Sequence, residues 1–209
     1  MNFDMTLLEW LEYHHEKIVF DKVSWMGVPI WKNVLDAWIY QELIYKVKPD
    51  VIVEIGSLMG GGTLYFANLL DIIGKGEVIS VDINRTNYNV KHKRIIEITG
   101  DSASPEVIKS VTDLCKGKSV FINHDGDHST NHVLMDLQNY SSLVTPGSYF
   151  VVEDSLADFT SGVMRPSIKD GPTMAILEFL ETNHDFDIDK ECERYLLTAN
   201  PMGYLKRIA

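Results

Sequence analysis

Val51-Ile52-Val53-Glu54-Ile55-Gly56-Ser57-Leu58-Met59-Gly60-Gly61-Gly62 is the stretch from which the fold can be read. Four branched apolar residues and one acid follow Pro49-Asp50 and stop at Gly56, the pattern of a short strand buried on both faces. The apolar run from Leu64 to Ile73, closed by Gly74 and Gly76, predicts a helix directly after it. Strand, glycine-rich turn and helix in this order begin a βαβ unit.

Downstream the alternation continues. Val78 to Val81 reads as a strand ending at Asp82, and Arg94 to Ile98 as another ending at Gly100-Asp101. Pro105 to Cys115 reads as a helix with proline in its first turn, where a missing N–H costs nothing. Ser119 to Ile122 is a fourth strand, His132 to Leu143 a helix stopped by Pro146-Gly147, and Tyr149 to Val152 a fifth strand ending at Glu153-Asp154. Ser155 to Asp170 has no clean period and reads as a lid, with Arg165 and Lys169 solvated. Gly171-Pro172 opens a helix from Met174 to Leu180. Phe186 to Ile188 and Tyr195 to Thr198 read as an antiparallel edge pair, extended by Tyr204 to Ile208.

Upstream, Leu7, Leu8, Leu11 and Ile18 give one partial helical stripe, and Leu35, Trp38, Ile39, Leu43 and Val47 a better one, with Gly27-Val28-Pro29 as a breaker between them. The expectation is α/β: a doubly wound, mostly parallel sheet of about seven strands over residues 49–209, preceded by a helical arm over residues 1–48.

The chain has 209 residues and a net charge of −11, from 19 Lys+Arg against 30 Asp+Glu. This composition excludes intrinsic disorder and a disulfide miniprotein, and gives no basic face for nucleic acid. Lys91-His92-Lys93-Arg94 reads as a solvated run before a strand. Cys115 and Cys192 have no zinc-ligand spacing and read as reduced thiols. The N-terminal stretch carries Asp4, Glu9 and Glu12, unlike a signal peptide, and no apolar run approaches the ~18 residues of a membrane span. The expectation is a cytoplasmic protein without membrane or nucleic-acid partners.

In an open α/β sheet, ligands bind beyond the carboxyl ends of the strands. Those ends carry Glu54 and the glycine loop, Asp82, Gly100-Asp101-Ser102, His124-Asp125-Gly126-Asp127-His128 and Glu153-Asp154. Gly56 permits a tight turn, and Gly60 to Gly62 permit close approach of a ligand to the backbone. Asp82 follows Gly56 at roughly the spacing (about 20 residues) of an acid that bonds ribose hydroxyls. The loop lacks the GxGxxG pattern, Leu58 standing at its second glycine, and it lacks a P-loop lysine. Leu58 crowds a pyrophosphate and Glu54 repels one, so a cationic nucleoside such as S-adenosylmethionine fits better than NAD.

The order VEIGSLMGGGT, VDIN, GDS, DGDHS, VVED resembles class I S-adenosylmethionine-dependent methyltransferases, and more narrowly the cephalosporin hydroxylase/rhamnosyl O-methyltransferase family, over roughly residues 26–208. The closing stretch from Phe179 to Ile208 is similar to that family's tail. The resemblance implies a Rossmann-like methyltransferase fold and a metal-dependent O-methyltransferase. Its acceptor would be a small-molecule hydroxyl, on a sugar or a secondary metabolite. It implies that Glu54, Gly56, Ser57, Gly60, Asp82, Asp101, Ser102 and Asp125 hold the cofactor, with Asp101-Ser102 at the adenine end. It implies a divalent metal, Mg²⁺ by ligand type, on Asp125, Glu153 and Asp154, with Asp127 as competitor for Asp125. Three carboxylates at neighbouring strand ends would repel one another without a cation, which points the same way.

His128, three residues after Asp125, stands where related enzymes place a general base, and imidazole chemistry suits that task near neutral pH. His124 and His132 are weaker candidates. Trp25, Trp31 and Trp38 read as packing or homo-oligomer contacts, or as a floor for a sugar. Two other readings remain. An iron-dependent oxygenase would use His124, Asp125 and His128 as a facial triad. A non-catalytic partner subunit would keep the fold alone.

Overall fold

The computed structural model describes residues 4–160 and 170–209. Seven strands form one sheet: β1 Val51–Ile55, β2 Glu77–Asp82, β3 Ile95–Thr99, β4 Val120–His124, β5 Tyr149–Val152, β6 Phe186–Ile188 and β7 Tyr204–Arg207. Their spatial order is β3-β2-β1-β4-β5-β7-β6. The first five run parallel, and β7 is antiparallel to both β5 and β6. The antiparallel edge is therefore made by Phe186–Ile188 with Tyr204–Arg207. Tyr195 to Thr198, expected as a strand, is a turn in which Leu196 has φ +65°. Thr198 is instead a buried hydrogen-bonding residue, its hydroxyl donating to Asp36 Oδ1 at 2.5 Å.

Both faces of the sheet are covered, because successive side chains of a strand point to opposite sides. Val51, Val53 and Ile55 of β1 pack with α4 (Pro105–Cys115), α5 (Thr130–Tyr140) and α6 (Pro172–Thr182) through Val107, Val111, Leu137, Ile176 and Phe179. Ile52 faces the other way, against Ile39, Tyr40 and Ile44 of α2 (Val34–Val47) and Phe66 and Leu70 of α3 (Gly61–Ile73). The helix α1 (Leu7–His14) starts at a Thr6/Glu9 capping box. Thus α2 supplies one wall of the core. Burying its Ile39, Tyr40 and Ile44 is worth about 2 kcal/mol each.

Register aligns the strand ends. Ile55 lies opposite Val81 and His124, and His124 opposite Val152. The next residues, Gly56, Asp82, Asp125 and Glu153, therefore emerge side by side. Backbone bonds tie them: Asp125 N–H donates to Ile55 O (2.7 Å), and Glu153 N–H to His124 O (2.9 Å). The strand order reverses between β1 and β4, the place where open α/β sheets form a ligand crevice.

In the basic run before β3, Lys91 and Lys93 are exposed as expected, while His92 and Arg94 are held. His92 Nε2 and Arg94 Nε reach Asp71 of α3 at 2.9 and 2.6 Å, clasping helix to sheet edge. Of the expected lid, Ser155 to Thr160 carries a short helix, Leu156–Phe159, and residues 161–169, with Arg165 and Lys169, lie outside the described residues. Among the described residues, no helix is long and apolar enough to cross a membrane.

Candidate active site

A cleft of about 570 Å³ opens over the carboxyl ends of β1, β2, β3 and β4. It is lined by Glu54, Gly56, Ser57, Asp82, Asp101, Ser102, Asp125, His128 and Asp154, which the sequence singled out, and by Trp31 and Lys32, from the segment before α2.

The glycine loop has a steric reason for its composition. Gly56 has φ +86°, and a Cβ there would lie 2.0 Å from the Asp125 carbonyl oxygen, so β1 and β4 can approach only with glycine at this turn. Gly60 is the N-cap of α3. Asp82 braces the loop: its Oδ2 accepts from Ser57 N–H (2.7 Å) and Leu58 N–H (2.8 Å), and its Oδ1 from Asn84 N–H (2.9 Å). An ionised carboxylate has about four lone-pair sites, so this bracing leaves acceptor capacity toward the cleft.

Glu54 is buried, and the Thr63 hydroxyl donates to it. Burial pushes its carboxyl up to about 7, although Lys32 and the Thr63 bond work in the opposite sense.

Ser102 lines the cleft, but its hydroxyl is already engaged. Its hydroxyl donates to Asp136 Oδ2 (2.8 Å) and lies 3.0 Å from His132 Nε2. His124 Nε2 meets the same Asp136 oxygen at 3.0 Å, with both side chains fully buried. This arrangement removes His124 from any set with Asp125 and His128, so the iron facial triad expected for the oxygenase reading does not form. Asp101 is exposed, and its Oδ1 accepts from Ala103 N–H at 2.9 Å.

The acids expected to hold a metal separate into two groups. Ligand-capable atoms of Asp125, His128 and Asp154 all lie within 4.8 Å of one another. His128 Nε2 is 3.3 Å from Asp154 Oδ2 and 3.9 Å from Asp125 Oδ1. Asp154 has φ +60°, a left-handed conformation held by its N–H donating to Asn200 Oδ1 at 3.0 Å. Glu153 stands apart from this group. Its buried carboxylate accepts from the Lys32 ammonium and from the Tyr40 hydroxyl (2.8 Å). Burial and the nearby Asp125 raise its carboxyl above the ordinary glutamate range, against the pull of Lys32.

Lys32 and Tyr40 were not singled out in the sequence. Lys32 Nζ also donates to Asp125 Oδ2 at 2.9 Å and lies 5.8 Å from the centroid of the Tyr40 ring. Burial opposes its charge, but Asp125, Glu153 and Glu54 together hold the ammonium above the ordinary lysine range. Its partners lie 93 and 121 residues away, so no local spacing marks it.

Of the tryptophans, Trp25 is a packing residue, edge-on to Tyr65 and bonded to Asn68 Oδ1 at 2.9 Å. Trp31 lines the cleft, and its N–H donates to Phe20 O at 2.9 Å. Trp38 is exposed on α2.

Comparison with known proteins places the chain in a family. The family model described as Rhamnosyl O-methyltransferase/CmcI matches residues 17–208. Curated relatives include a rhamnosyl O-methyltransferase of Mycobacterium tuberculosis (strain ATCC 25618 / H37Rv), 31% identical over 98% of this chain and 86% of the relative. Another, from Mycobacterium leprae (strain TN), is 30% identical over 95% of this chain and 89% of the relative. Among solved structures, "cmcI-D160 Mg-SAM" superposes over 100% of this chain and 87% of that one, with a TM-score of 0.71 and 20% identity, which establishes the shared fold. The chain is an O-methyltransferase and belongs to the Rhamnosyl O-methyltransferase/CmcI family.

Proposed function

We propose that this chain transfers the methyl group of S-adenosylmethionine to a hydroxyl of a sugar or related small metabolite, with a divalent cation at the acid cluster. The observation that carries the reading is the convergence, in one cleft, of the braced glycine loop with Asp125, His128 and Asp154. The relatives named as rhamnosyl O-methyltransferases support a rhamnosyl or similar acceptor.

The residues fit both groups. The cleft offers an acidic lining at Glu54, Asp82 and Asp101, suited to a cationic nucleoside and not to a phosphate. Asp125 and Asp154 present hard oxygen donors within reach of a single ion, and would hold Mg²⁺. When bound, these groups supply a methyl carried on a sulfonium and a charge that eases ionisation of the acceptor hydroxyl.

The chain's own residues do the remaining work. The turn at Gly56 to Gly60 and the bracing Asp82 hold the nucleoside. Trp31, at the cleft edge, offers a flat apolar face to a sugar ring. His128 takes the acceptor proton at Nε2, the atom that faces Asp125 and Asp154. The fixed cleft aligns the two reactants, and positioning supplies a large part of the acceleration in such displacements.

Incubating the chain with methyl-labelled S-adenosylmethionine, Mg²⁺ and a methyl rhamnoside tests the reading. Label transfer to the sugar that stops with chelator supports it. Transfer unaffected by chelator would remove the metal, and absence of cofactor binding by calorimetry would remove the cofactor assignment.

A further inference from the structure

Lys32 is the sole lysine or arginine lining the cleft among the described residues, and no step proposed above uses it. It is 4% exposed. Its side chain runs beneath the start of α3, where a Cβ on Gly62 would lie 3.0 Å from Lys32 Cε and 2.5 Å from Glu54 Oε1. The ammonium thus has a fixed seat. It bonds Asp125 Oδ2 and Glu153 on one side of the acid group, while Asp125 Oδ1 and Asp154 Oδ2 face His128 on the other.

We propose that Lys32 is a built-in counter-ion of the cation site, holding Asp125 and Glu153 together in the metal-free protein and weakening the site's grip on a divalent cation. The inference rests on the reading of Asp125 and Asp154 as cation ligands. Asp125 is shared: one oxygen is committed to the ammonium and the other is left toward the cluster. Glu54, Asp125 and Glu153 converge around one buried point, and without a cation their like charges would repel. A tethered ammonium meets that need at all times, so the acid group is pre-formed before any ion arrives. The same positive charge, one carboxylate away from the ion, opposes a second cation. Lys32 is therefore a positioning residue, and its effect is a site that binds Mg²⁺ loosely and releases it readily.

Calorimetric titration of Mg²⁺ and of Mn²⁺ into the full chain and into Lys32→Met tests this. The dissociation constant of the variant is expected to fall about tenfold or more, since the opposing charge is gone. The melting temperature of the variant should rise with Mg²⁺, while that of the parent chain changes little on adding chelator. Equal or weaker cation binding by the variant overturns the proposal and leaves Lys32 a structural brace. Absence of cation binding by both proteins overturns the proposal together with the metal reading. Should Lys32→Met fail to fold, the ¹⁵N resonance of the Lys32 ammonium in the parent chain, assigned by its loss in Lys32→Arg, is followed during Mg²⁺ titration. A saturable shift supports sharing of Asp125, and an unmoved resonance overturns it.

Discussion

Lys32 Nζ lies 2.9 Å from Asp125 Oδ2, a partly buried bond between residues 93 positions apart that joins the segment before α2 to the end of β4. Asp125→Asn removes one charge from the ammonium's surroundings and one donor oxygen from the cation cluster. Mg²⁺ binding is expected to be lost in calorimetry. Stability should fall by only about 1–3 kcal/mol in urea, because Glu153 still pairs with Lys32. Retained Mg²⁺ affinity would exclude Asp125 as a ligand.

Gly56→Ala should be among the most damaging small substitutions. The new Cβ meets the Asp125 carbonyl at 2.0 Å, on a backbone with φ +86°. Left-handed strain and overpacking together should cost about 3 kcal/mol, lowering the melting temperature by about 10 °C. S-adenosylmethionine binding should weaken in parallel. An unchanged melting temperature would mean that β1 and β4 part easily.

His128→Gln keeps a polar side chain and removes the base. The turnover number is expected to fall about 100-fold with the KM for S-adenosylmethionine little changed. A variant with unchanged turnover would show that another group takes the proton.

Asp36 makes a pH-dependent contribution with a definite sign. It is buried on α2, accepting from Thr198 Oγ1, Ala199 N–H (2.8 Å) and the Tyr204 hydroxyl (2.8 Å). Burial pushes its carboxyl from 3.8 up to about 6, against those bonds. Between these values the folded chain keeps a proton that the unfolded chain has released. Stability from this group is therefore complete below the unfolded value and is lost as pH rises through the folded one. The stability of the parent chain relative to Asp36→Asn, from urea unfolding, should fall by about 3 kcal/mol between about pH 4 and pH 7. A pH-independent difference would assign the slope to other carboxylates.

The parallel part of the fold was legible because short branched runs ending in Gly or Asp leave few alternatives. Val51–Ile55 and Tyr149–Val152 read as strands with the limits they have, and Pro105–Cys115 as a helix with proline in its first turn. Tyr195 to Thr198 misled because β-formers there serve another purpose. Thr198 is buried to bond Asp36, a long-range demand that local propensity does not record. The cleft residues were legible for the same reason as the strands, since they sit at strand ends. Their allegiances were not. Glu153 and Asp154 are neighbours in sequence, yet one turns to Lys32 and Tyr40 and the other to His128. The left-handed backbone at Asp154 makes that division, and it depends on Asn200, 46 residues further on.

The long-range bonds of α2 and the segment before it also bear on how the chain is made. Lys32 and Tyr40 bond Glu153, and Asp36 bonds Thr198 and Tyr204, residues up to 168 positions later. Non-local closures of this kind are slow, and a nascent chain cannot make those of Asp36 until Thr198 and Tyr204 have emerged from the ribosome. Until then Asp36 of α2 is an acid without its hydrogen-bond donors, although the apolar face of the helix already meets Ile52, Phe66 and Leu70. A ribosome-bound chain halted before residue 198 is therefore expected to hold β1 to β4 and the glycine loop while staying open to protease around α2. The floor beneath the reacting groups is set last, by the end of the chain closing over its beginning.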